Sequence, residues 1–185
     1  MMKVIGFIAS PRKEGNTAWA VNKILEGAKE RGSETAVWYC GELDINPCKS
    51  CYGCKQGSGG CIVNDDMQKL YDALEHADAL VLGSPVYIGQ MSAQAKIFTD
   101  RLYARFSPKF SPHYKEKKKK KLILVFTQGN PDGGMFQPYF DYTKGIFQVL
   151  EFDAEVHVIA GMRNGPAHER KDLNNIMKDI GSSLI

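Results

Sequence analysis

The strongest constraint on the fold is a series of five short apolar segments, separated by longer stretches with helical periodicity. Each segment is rich in β-branched residues and ends at Gly, Pro or polar residues, which predicts β-strands. Their hydrophobicity is nearly continuous, as in parallel strands that helices cover on both faces. The predicted strands are Lys3–Ala9, Glu34–Cys40, Ala77–Ser84, Leu122–Thr127 and Ala154–Ala160.

Five stretches with helical periodicity lie between and after these strands. The first stops at Gly32, and glycine commonly ends helices. We expect Asp65 or Asp66 to cap the second stretch and Ser92 the third, because short polar side chains accept hydrogen bonds from the first helical N–H groups. The predicted helices are Thr17–Arg31, Met67–Ala77, Ser92–Ala104, Gln137–Leu150 and Glu169–Leu184.

This alternation predicts an α/β fold with right-handed crossovers. It indicates a flavodoxin-like, doubly wound five-stranded parallel sheet of order 2-1-3-4-5, in a three-layer α/β/α arrangement. We expect one domain over residues 1–185, with a Cys-rich loop inserted at about residues 45–64. In such sheets ligands bind at the carboxyl ends of the strands, at the switch point between strands one and three.

The net charge of +3 depends on one basic run, "KEKKKKK" (Lys115–Lys121). We interpret this run as a solvated connection into the fourth strand, and no nucleic-acid partner is predicted because no binding motif accompanies it. No apolar stretch reaches the roughly 18 residues that span a membrane. The N-terminal segment has no signal-peptide cleavage site. We therefore expect a cytoplasmic location, where structural disulfides are rare.

The loop after the first strand, "SPRKEGNT" (Ser10–Thr17), is rich in polar groups. It has neither the G-x-G-x-x-G dinucleotide pattern nor the G-K-[ST] of a nucleoside-triphosphate loop. Hydroxyl, amide and guanidinium groups at a helix amino end favour an anion the size of one phosphate. A polar turn with Asn16 or Thr17 as helix cap is the alternative interpretation.

This loop resembles the S-x-R-x-x-[GS]-N-[ST] phosphate loop of NADPH-dependent FMN reductases and iron–sulfur flavoproteins. The segment "GSPVYIGQMSAQAKIFTDR" (Gly83–Arg101) is similar to a second pattern of these proteins, G-[ST]-P-x-Y-x-x-x-[MP]-[ST]-x-x-x-K-x-x-x-D-R. The resemblance covers roughly Lys3 to Ala160 and implies a flavodoxin-like fold with FMN as cofactor. It implies that the FMN phosphate is bound by Ser10, Arg12, Asn16 and Thr17. It implies that the flavin ring is lined by Pro85, Val86, Tyr87 and Gly89.

Two further groups of residues accompany these motifs. Thr127, Gln128 and Gly129 begin the loop after strand four, and their small and polar side chains suit the pyrimidine edge of the ring; an ordinary Gly/Pro turn would have a similar composition. Asp100 and Arg101 match the D-R of the second pattern. We interpret them as a helix-end ion pair that serves structure.

Four of the five cysteines lie in "PCKSCYGCKQGSGGC" (Pro47–Cys61). Their C-x2-C-x2-C spacing and Gly-rich return can bring four sulfurs to the corners of a compact cluster, as in bacterial ferredoxins. The loop also resembles the motif that binds a [4Fe–4S] cluster in iron–sulfur flavoproteins. Cysteines without metal, a zinc site and a disulfide remain alternatives. The four candidate metal ligands are Cys48, Cys51, Cys54 and Cys61; Cys40 is predicted to be a buried packing residue.

The resemblance implies an FMN-dependent oxidoreductase that passes electrons between a donor, reduced ferredoxin or NAD(P)H as co-substrate, and an acceptor such as a quinone or an oxygen species. A cluster-free NAD(P)H-dependent FMN, quinone or nitro reductase is the alternative, and a non-enzymatic flavodoxin-like carrier is a further one. No catalytic side chain is predicted, because flavin chemistry needs no protein nucleophile. The resemblance also implies a redox partner protein or small-molecule acceptor, and a homodimer or homotetramer.

Overall fold

The computed structural model describes residues 1–56, 60–106 and 119–185. Most of the basic run Lys115–Lys121 lies outside the described residues, and only its last three lysines are described. The strands are β1 (Lys3–Ile8), β2 (Glu34–Tyr39), β3 (Ala79–Tyr87), β4 (Gln90–Met91), β5 (Lys120–Thr127) and β6 (Phe152–Ile159). The helices are α1 (Asn16–Glu30), α2 (Met67–His76), α3 (Ala93–Arg101), α4 (Gln137–Val149) and α5 (Lys171–Ser182).

The sheet has the order β2-β1-β3-β5-β6, and all these neighbours are parallel. This order confirms the predicted 2-1-3-4-5 arrangement of five parallel strands. The sequence did not predict β4, a two-residue strand that folds back antiparallel on the end of β3. None of the described helices is long and apolar enough to cross a membrane.

Two apolar cores lie on opposite faces of the sheet, because successive strand side chains point to opposite sides. Ile5 and Phe7 pack with residues of α2, α3 and α4 on one face. Val4 and Ile8 pack with residues of α1 and α5 on the other. The predicted three-layer arrangement is therefore confirmed.

Helices α1 and α5 approach each other unusually closely at two glycines. A Cβ atom on Gly181 would lie 1.9 Å from the carbonyl oxygen of Ile24. A Cβ atom on Gly27 would lie 2.1 Å from the carbonyl oxygen of Lys178. The absence of side chains at both positions lets the two helix backbones touch, which fixes α5 against the carboxyl-terminal half of α1.

Candidate functional site

The loop between β1 and α1 forms a closed turn at the carboxyl end of the sheet. Ser10 is buried, and its hydroxyl oxygen accepts a hydrogen bond from the Arg12 backbone N–H at 3.2 Å. The N–H of Gly15 donates to the carbonyl oxygen of Arg12 at 3.2 Å. The Arg12 residue itself is exposed. The turn therefore has a rigid backbone and a cationic side chain accessible from solvent.

Helix α1 begins without a side-chain cap. Gly15 is its N-cap residue, in an extended conformation, and no side chain of the described residues caps it there. The amide oxygen of Asn16 instead accepts a hydrogen bond from the N–H of Ala167 at 2.8 Å. The interpretation of Asn16 as a helix cap is therefore wrong. Uncapped N–H groups and the helix dipole make this end of α1 suited to an anion.

The end of β3 and the strand β4 form a tight hairpin beside this loop. Ile88 and Gly89 make the turn with φ angles of +48° and +76°. A positive φ is unusual for a β-branched residue, and the side chain of Ile88 is 99% exposed. Pro85 is buried, Val86 is half-buried and Tyr87 is 43% exposed. The four predicted ring residues thus share one hairpin at the carboxyl edge of the sheet.

Ser92 connects this hairpin to the loop after β1. Its hydroxyl group donates to the carbonyl oxygen of Ala9 at 2.6 Å and accepts from the N–H of Ala95 at 3.1 Å. Its own N–H donates to the hydroxyl oxygen of Ser84 at 2.9 Å. Ser92 is therefore the cap of α3, as predicted, and it also fixes the two candidate flavin loops relative to each other.

The residues after β5 complete the same edge. The hydroxyl groups of Thr127 and Thr17 lie 2.6 Å apart in a buried hydrogen bond. The side-chain nitrogen of Gln128 donates to the carbonyl oxygen of Asp132 at 2.6 Å, while its side-chain oxygen is buried without a partner among the described residues. Gly129 follows and is half-buried. The structure thus brings all three predicted residues to the edge formed by β1 and β3.

One residue near this edge was not predicted from the sequence. Arg163, in the loop after β6, packs against Gly129, where a Cβ atom would lie 2.9 Å from its side chain. It shares a shallow pocket of about 490 Å³ with Arg12 and Asn16. A second guanidinium therefore lies beside the amino end of α1. No sequence motif signals it, because its position depends on backbone hydrogen bonds between the loop after β6 and the loop after β5.

The cysteine loop leaves β2 and returns to α2 through a hydrogen-bonded neck. The N–H groups of Asp44 and Asn46 donate to the carboxylates of Asp66 and Asp65 at 2.8 Å and 3.0 Å. The side chain of Gln68 donates to the carbonyl oxygen of Cys61 at 2.8 Å. Both ends of the loop are therefore attached to the start of α2.

Inside the loop the chain coils tightly. Ser50 and Tyr52 have φ angles of +52° and +56°, in the left-handed region that few residues with side chains adopt. This coiling turns all four predicted cysteines toward one pocket of about 390 Å³. In the described part of the chain, no three His, Cys, Asp or Glu side chains are grouped so as to hold a single metal ion. The pocket is lined by Cys48, Lys49, Ser50, Cys51, Tyr52, Cys54, Cys61, Val63, Asp100, Arg101, Tyr103 and Ala104.

A buried ion pair lies at the inner wall of this pocket. Arg101 donates to both carboxylate oxygens of Asp65 at 2.6 Å and 3.0 Å, and the two side chains are 0% and 1% exposed. The predicted pairing of Asp100 with Arg101 is wrong, since Asp100 pairs with Lys96 on the helix surface. Asp65 accepts from the N–H of Met67 at 3.1 Å, so it also serves the start of α2 as expected.

The pKa values of Asp65 and Cys40 are shifted in opposite directions. Burial alone would raise the pKa of the Asp65 carboxyl, but hydrogen bonds from Arg101 and from the Asn46 backbone, with the charge of Arg101, hold it below its ordinary value. Burial raises the pKa of the Cys40 thiol to about 11. That thiol donates to the carbonyl oxygen of Ser10 at 3.3 Å and packs against the core. Cys40 is therefore a half-buried packing residue. It does not belong to the cysteine quartet, which consists of Cys48, Cys51, Cys54 and Cys61.

Helix α3 connects the two candidate sites. It starts beside Ser92, at the flavin loops, and ends at Arg101, in the wall of the cysteine pocket. Nine residues of α-helix span about 14 Å. The cysteine pocket and the edge formed by β1 and β3 therefore lie at opposite ends of one short helix.

Comparisons of the sequence with known proteins agree on one group of flavoproteins. Residues 2–138 match the family described as NADPH-dependent FMN reductase. An iron–sulfur flavoprotein of Methanocaldococcus jannaschii is 43% identical over 100 residues, which are 54% of this chain and 51% of the relative. One of Methanosarcina thermophila is 38% identical over 100 residues, 54% of this chain and 52% of the relative. The chain spans about half the length of the curated relatives it matches.

Solved structures agree on the fold. An NAD(P)H:quinone oxidoreductase from Methanothermobacter marburgensis superposes with a TM-score of 0.78 at 17% identity, covering 99% of this chain and 96% of that one. An azoreductase from Bacillus anthracis superposes with a TM-score of 0.70 at 16% identity, covering 100% and 98%. At these identities the likeness concerns the fold alone.

Proposed function

The chain belongs to the NADPH-dependent FMN reductase family, and from this membership we propose that it is an FMN-dependent oxidoreductase. It passes electrons between a donor, reduced ferredoxin or NAD(P)H, and an acceptor such as a quinone or an oxygen species. The observation that carries the proposal is the uncapped amino end of α1 beside Arg12, at the carboxyl edge where β1 and β3 meet.

We propose that the FMN phosphate binds at this helix end. The N–H groups of the first helical turn need acceptors, and the phosphate oxygens are strong ones. Arg12 adds a charge-assisted partner from the solvent side. Ser10 fixes the loop, since its hydroxyl group both donates to the carbonyl oxygen and accepts from the N–H of Arg12. The side-chain oxygen of Asn16 accepts from Ala167, so its side-chain N–H groups are the donors for the phosphate. Thr17 anchors the first turn through Thr127.

We propose that the flavin ring lies against the hairpin after β3. Pro85 is buried and stiff, and Tyr87 is exposed beside it, which suits a flat aromatic ligand. Gly89 permits the turn because its φ is positive. At the polar edge of the ring, the partnerless side-chain oxygen of Gln128 is a buried acceptor for an N–H of the pyrimidine. Thr127 and Gly129 flank it.

We propose that the four cysteines hold a [4Fe–4S] cluster. In such a cluster each iron takes a different thiolate, so the sulfurs must surround a cavity and need not converge on one point. The pocket of about 390 Å³ with four cysteines in its wall supports this arrangement. The residues present therefore fit the group.

The two sites together support electron transfer in single steps. When bound, FMN supplies a ring that exchanges two electrons together or one at a time, and the cluster supplies one-electron transfer. The chain's own part is to place the two groups at the ends of α3 and to leave the face of the ring near Tyr87 open to a donor. No side chain is required as a nucleophile.

The proposal includes the assembly and location of the protein. Tyr142, Ile146 and Val149 form an exposed apolar stripe on α4, which supports a homodimer or homotetramer. A single domain over residues 1–185 and a cytoplasmic location, where clustered thiols stay reduced, belong to the same proposal. Light scattering of the purified protein tests the assembly, and a monomer would contradict it.

The experiment that tests the function is anaerobic purification followed by absorption spectroscopy, iron and sulfide analysis, and turnover with NADPH or reduced ferredoxin and a quinone. We expect flavin bands, a broad shoulder, and about four irons per chain. Cys54→Ser should lose the iron, whereas Cys40→Ser, outside the quartet, should retain it. Flavin without iron but with NADPH turnover would favour the cluster-free reductase. Flavin without turnover by either donor would favour a carrier.

A further inference from the structure

Arg101 is a fully buried cation that contacts both ends of the cysteine loop. Its Nη1 donates to the carbonyl oxygen of Asn46 at 2.8 Å, two residues before Cys48. Its Nη2 donates to Sγ of Cys61 at 3.4 Å. One guanidinium therefore fixes the entry of the loop relative to the last cysteine of the quartet.

Asp65 sets the orientation of this guanidinium. The two carboxylate oxygens accept the fork of Arg101 at 2.6 Å and 3.0 Å, a geometry that lysine cannot reproduce. The same carboxylate accepts from the backbone N–H groups of Asn46 and Met67. The ion pair thus joins the end of α3, the start of α2 and the neck of the loop.

One donor of Arg101 has no partner among the described residues. Its Nε is buried and makes no hydrogen bond to any described residue, while the side chain lines the cysteine pocket. A buried N–H without an acceptor costs free energy, and such groups are rare in native proteins. The sulfur atoms of a cluster in the pocket are acceptors of the kind this group requires.

We propose that Arg101 is a positioning residue for the [4Fe–4S] cluster: it holds Cys61 in the ligating arrangement and provides positive charge and N–H donors to the sulfur atoms. This inference rests on the proposed function, since it assigns Arg101 a role toward the cluster proposed there. Hydrogen bonds to sulfur and nearby charge set cluster potentials. Groups that orient metal ligands typically change metal affinity roughly 10–100-fold.

The test must separate positioning from stability. Arg101→Met alone leaves Asp65 as an unpaired buried charge, so that variant is expected to unfold easily. The double variant Arg101→Met/Asp65→Leu replaces the pair with apolar side chains and restores a packed interior without the guanidinium. Lys3→Met/Glu34→Leu removes a surface ion pair at the amino ends of β1 and β2, away from the cysteine pocket, and is the matched control.

Iron loss to a chelator is measured anaerobically, with the FMN content of the same sample as the control for folding. We expect the double variant Arg101→Met/Asp65→Leu to retain FMN, to lose iron roughly 10–100-fold faster than the wild type, and to have a more negative cluster potential. Arg101→Lys keeps the positive charge, so its cluster potential should lie between those of the wild type and the double variant Arg101→Met/Asp65→Leu. The Lys3→Met/Glu34→Leu variant should match the wild type in all three measurements.

Two results would overturn the inference, and they differ from each other. If the double variant Arg101→Met/Asp65→Leu keeps iron and potential like the wild type, Arg101 serves stability alone. If the wild-type chain binds FMN but takes up no iron, the proposed cluster fails, and the inference about Arg101 fails with it.

Discussion

The hydroxyl groups of Thr17 and Thr127 lie 2.6 Å apart and share a buried hydrogen bond between the first turn of α1 and the end of β5. The two residues are 110 positions apart in the chain. Both belong to the candidate FMN site, one at the phosphate end and one at the ring end. Their contact means that the two ends of the site are built as one unit.

Valine substitutions at these two positions test the coupling. Thr127→Val alone leaves the Thr17 hydroxyl buried without this partner, which should cost about 1–3 kcal/mol of unfolding free energy. Thr17→Val/Thr127→Val removes both hydroxyls in similar shapes and should cost less than the sum of the single changes. Urea unfolding of the FMN-free wild type, the two single variants and the double variant measures this double-mutant cycle. Strictly additive single effects would contradict the coupling.

Gly181→Ala should strongly destabilise the contact between α1 and α5. The new methyl group would meet the carbonyl oxygen of Ile24 at 1.9 Å, so the helices must separate, at a cost of about 3 kcal/mol or more. Gly145→Ala is the matched control, since Gly145 lies inside α4 with nothing within 4 Å of a new Cβ atom. That change should stabilise by about 0.5–1 kcal/mol. Thermal unfolding distinguishes them, and equal effects would refute the close contact.

Ile88→Asn should stabilise the hairpin between β3 and β4. Asn adopts positive φ more readily than a β-branched residue, and the 99% exposed Ile88 loses no packing on replacement. We expect a gain of about 0.5–1 kcal/mol in unfolding free energy of the FMN-free protein, whereas Ile88→Val should gain nothing. If Asn destabilises the protein, the Ile88 side chain must have a partner in solution, such as a second subunit.

The ion pair of Asp65 with Arg101 predicts a specific acid dependence. Because the folded-state pKa of Asp65 is lowered from the ordinary 3.8, its contribution to stability is complete above that value and disappears as the pH falls below it. The difference in unfolding free energy between wild type and Asp65→Asn should stay constant from about pH 7 to pH 5 and then narrow below about pH 4. Asp153→Asn, at an exposed position, is the control. Narrowing that begins above pH 5 would contradict the lowered pKa.

The elements and the loop positions were predictable from the sequence because they depend on local patterns. The apolar periodicity located all five parallel strands, and the polar cap at Ser92 located the start of α3. Strand β4 escaped prediction because it has two residues and depends on a positive φ at Ile88, a residue type that does not signal turns.

The long-range partners could not be predicted. Asp65 and Arg101 each looked like a helix-end residue, and nothing in their sequence contexts connects two positions 36 residues apart. Arg163 lies beside the amino end of α1, where the N–H of Met162 donates to the carbonyl oxygen of Gln128 and holds the loop after β6 against the loop after β5. Tertiary packing, which periodicity does not encode, determines these pairings. They are also the contacts that shape the cysteine pocket and the anion site.

The central claim is that a single phosphate group binds at the amino end of α1, and the affinity ratio of FMN to riboflavin tests it most directly. Two charge-assisted hydrogen bonds of about 1.5 kcal/mol each correspond to roughly a 100-fold preference for FMN. Fluorescence titration of the flavin-free protein measures both ligands. Lys13→Ala is the matched control: Lys13 is an exposed cation of the same loop, and its contacts are with Glu42 and the ring of Tyr39.

The wild type and Lys13→Ala should both prefer FMN by about that factor. Arg12→Ala/Asn16→Ala, which keeps the backbone N–H groups of the first turn of α1, should have a preference reduced roughly tenfold or more. Equal affinities in the wild type, or an undiminished preference in Arg12→Ala/Asn16→Ala, would contradict the phosphate site and with it the proposed function.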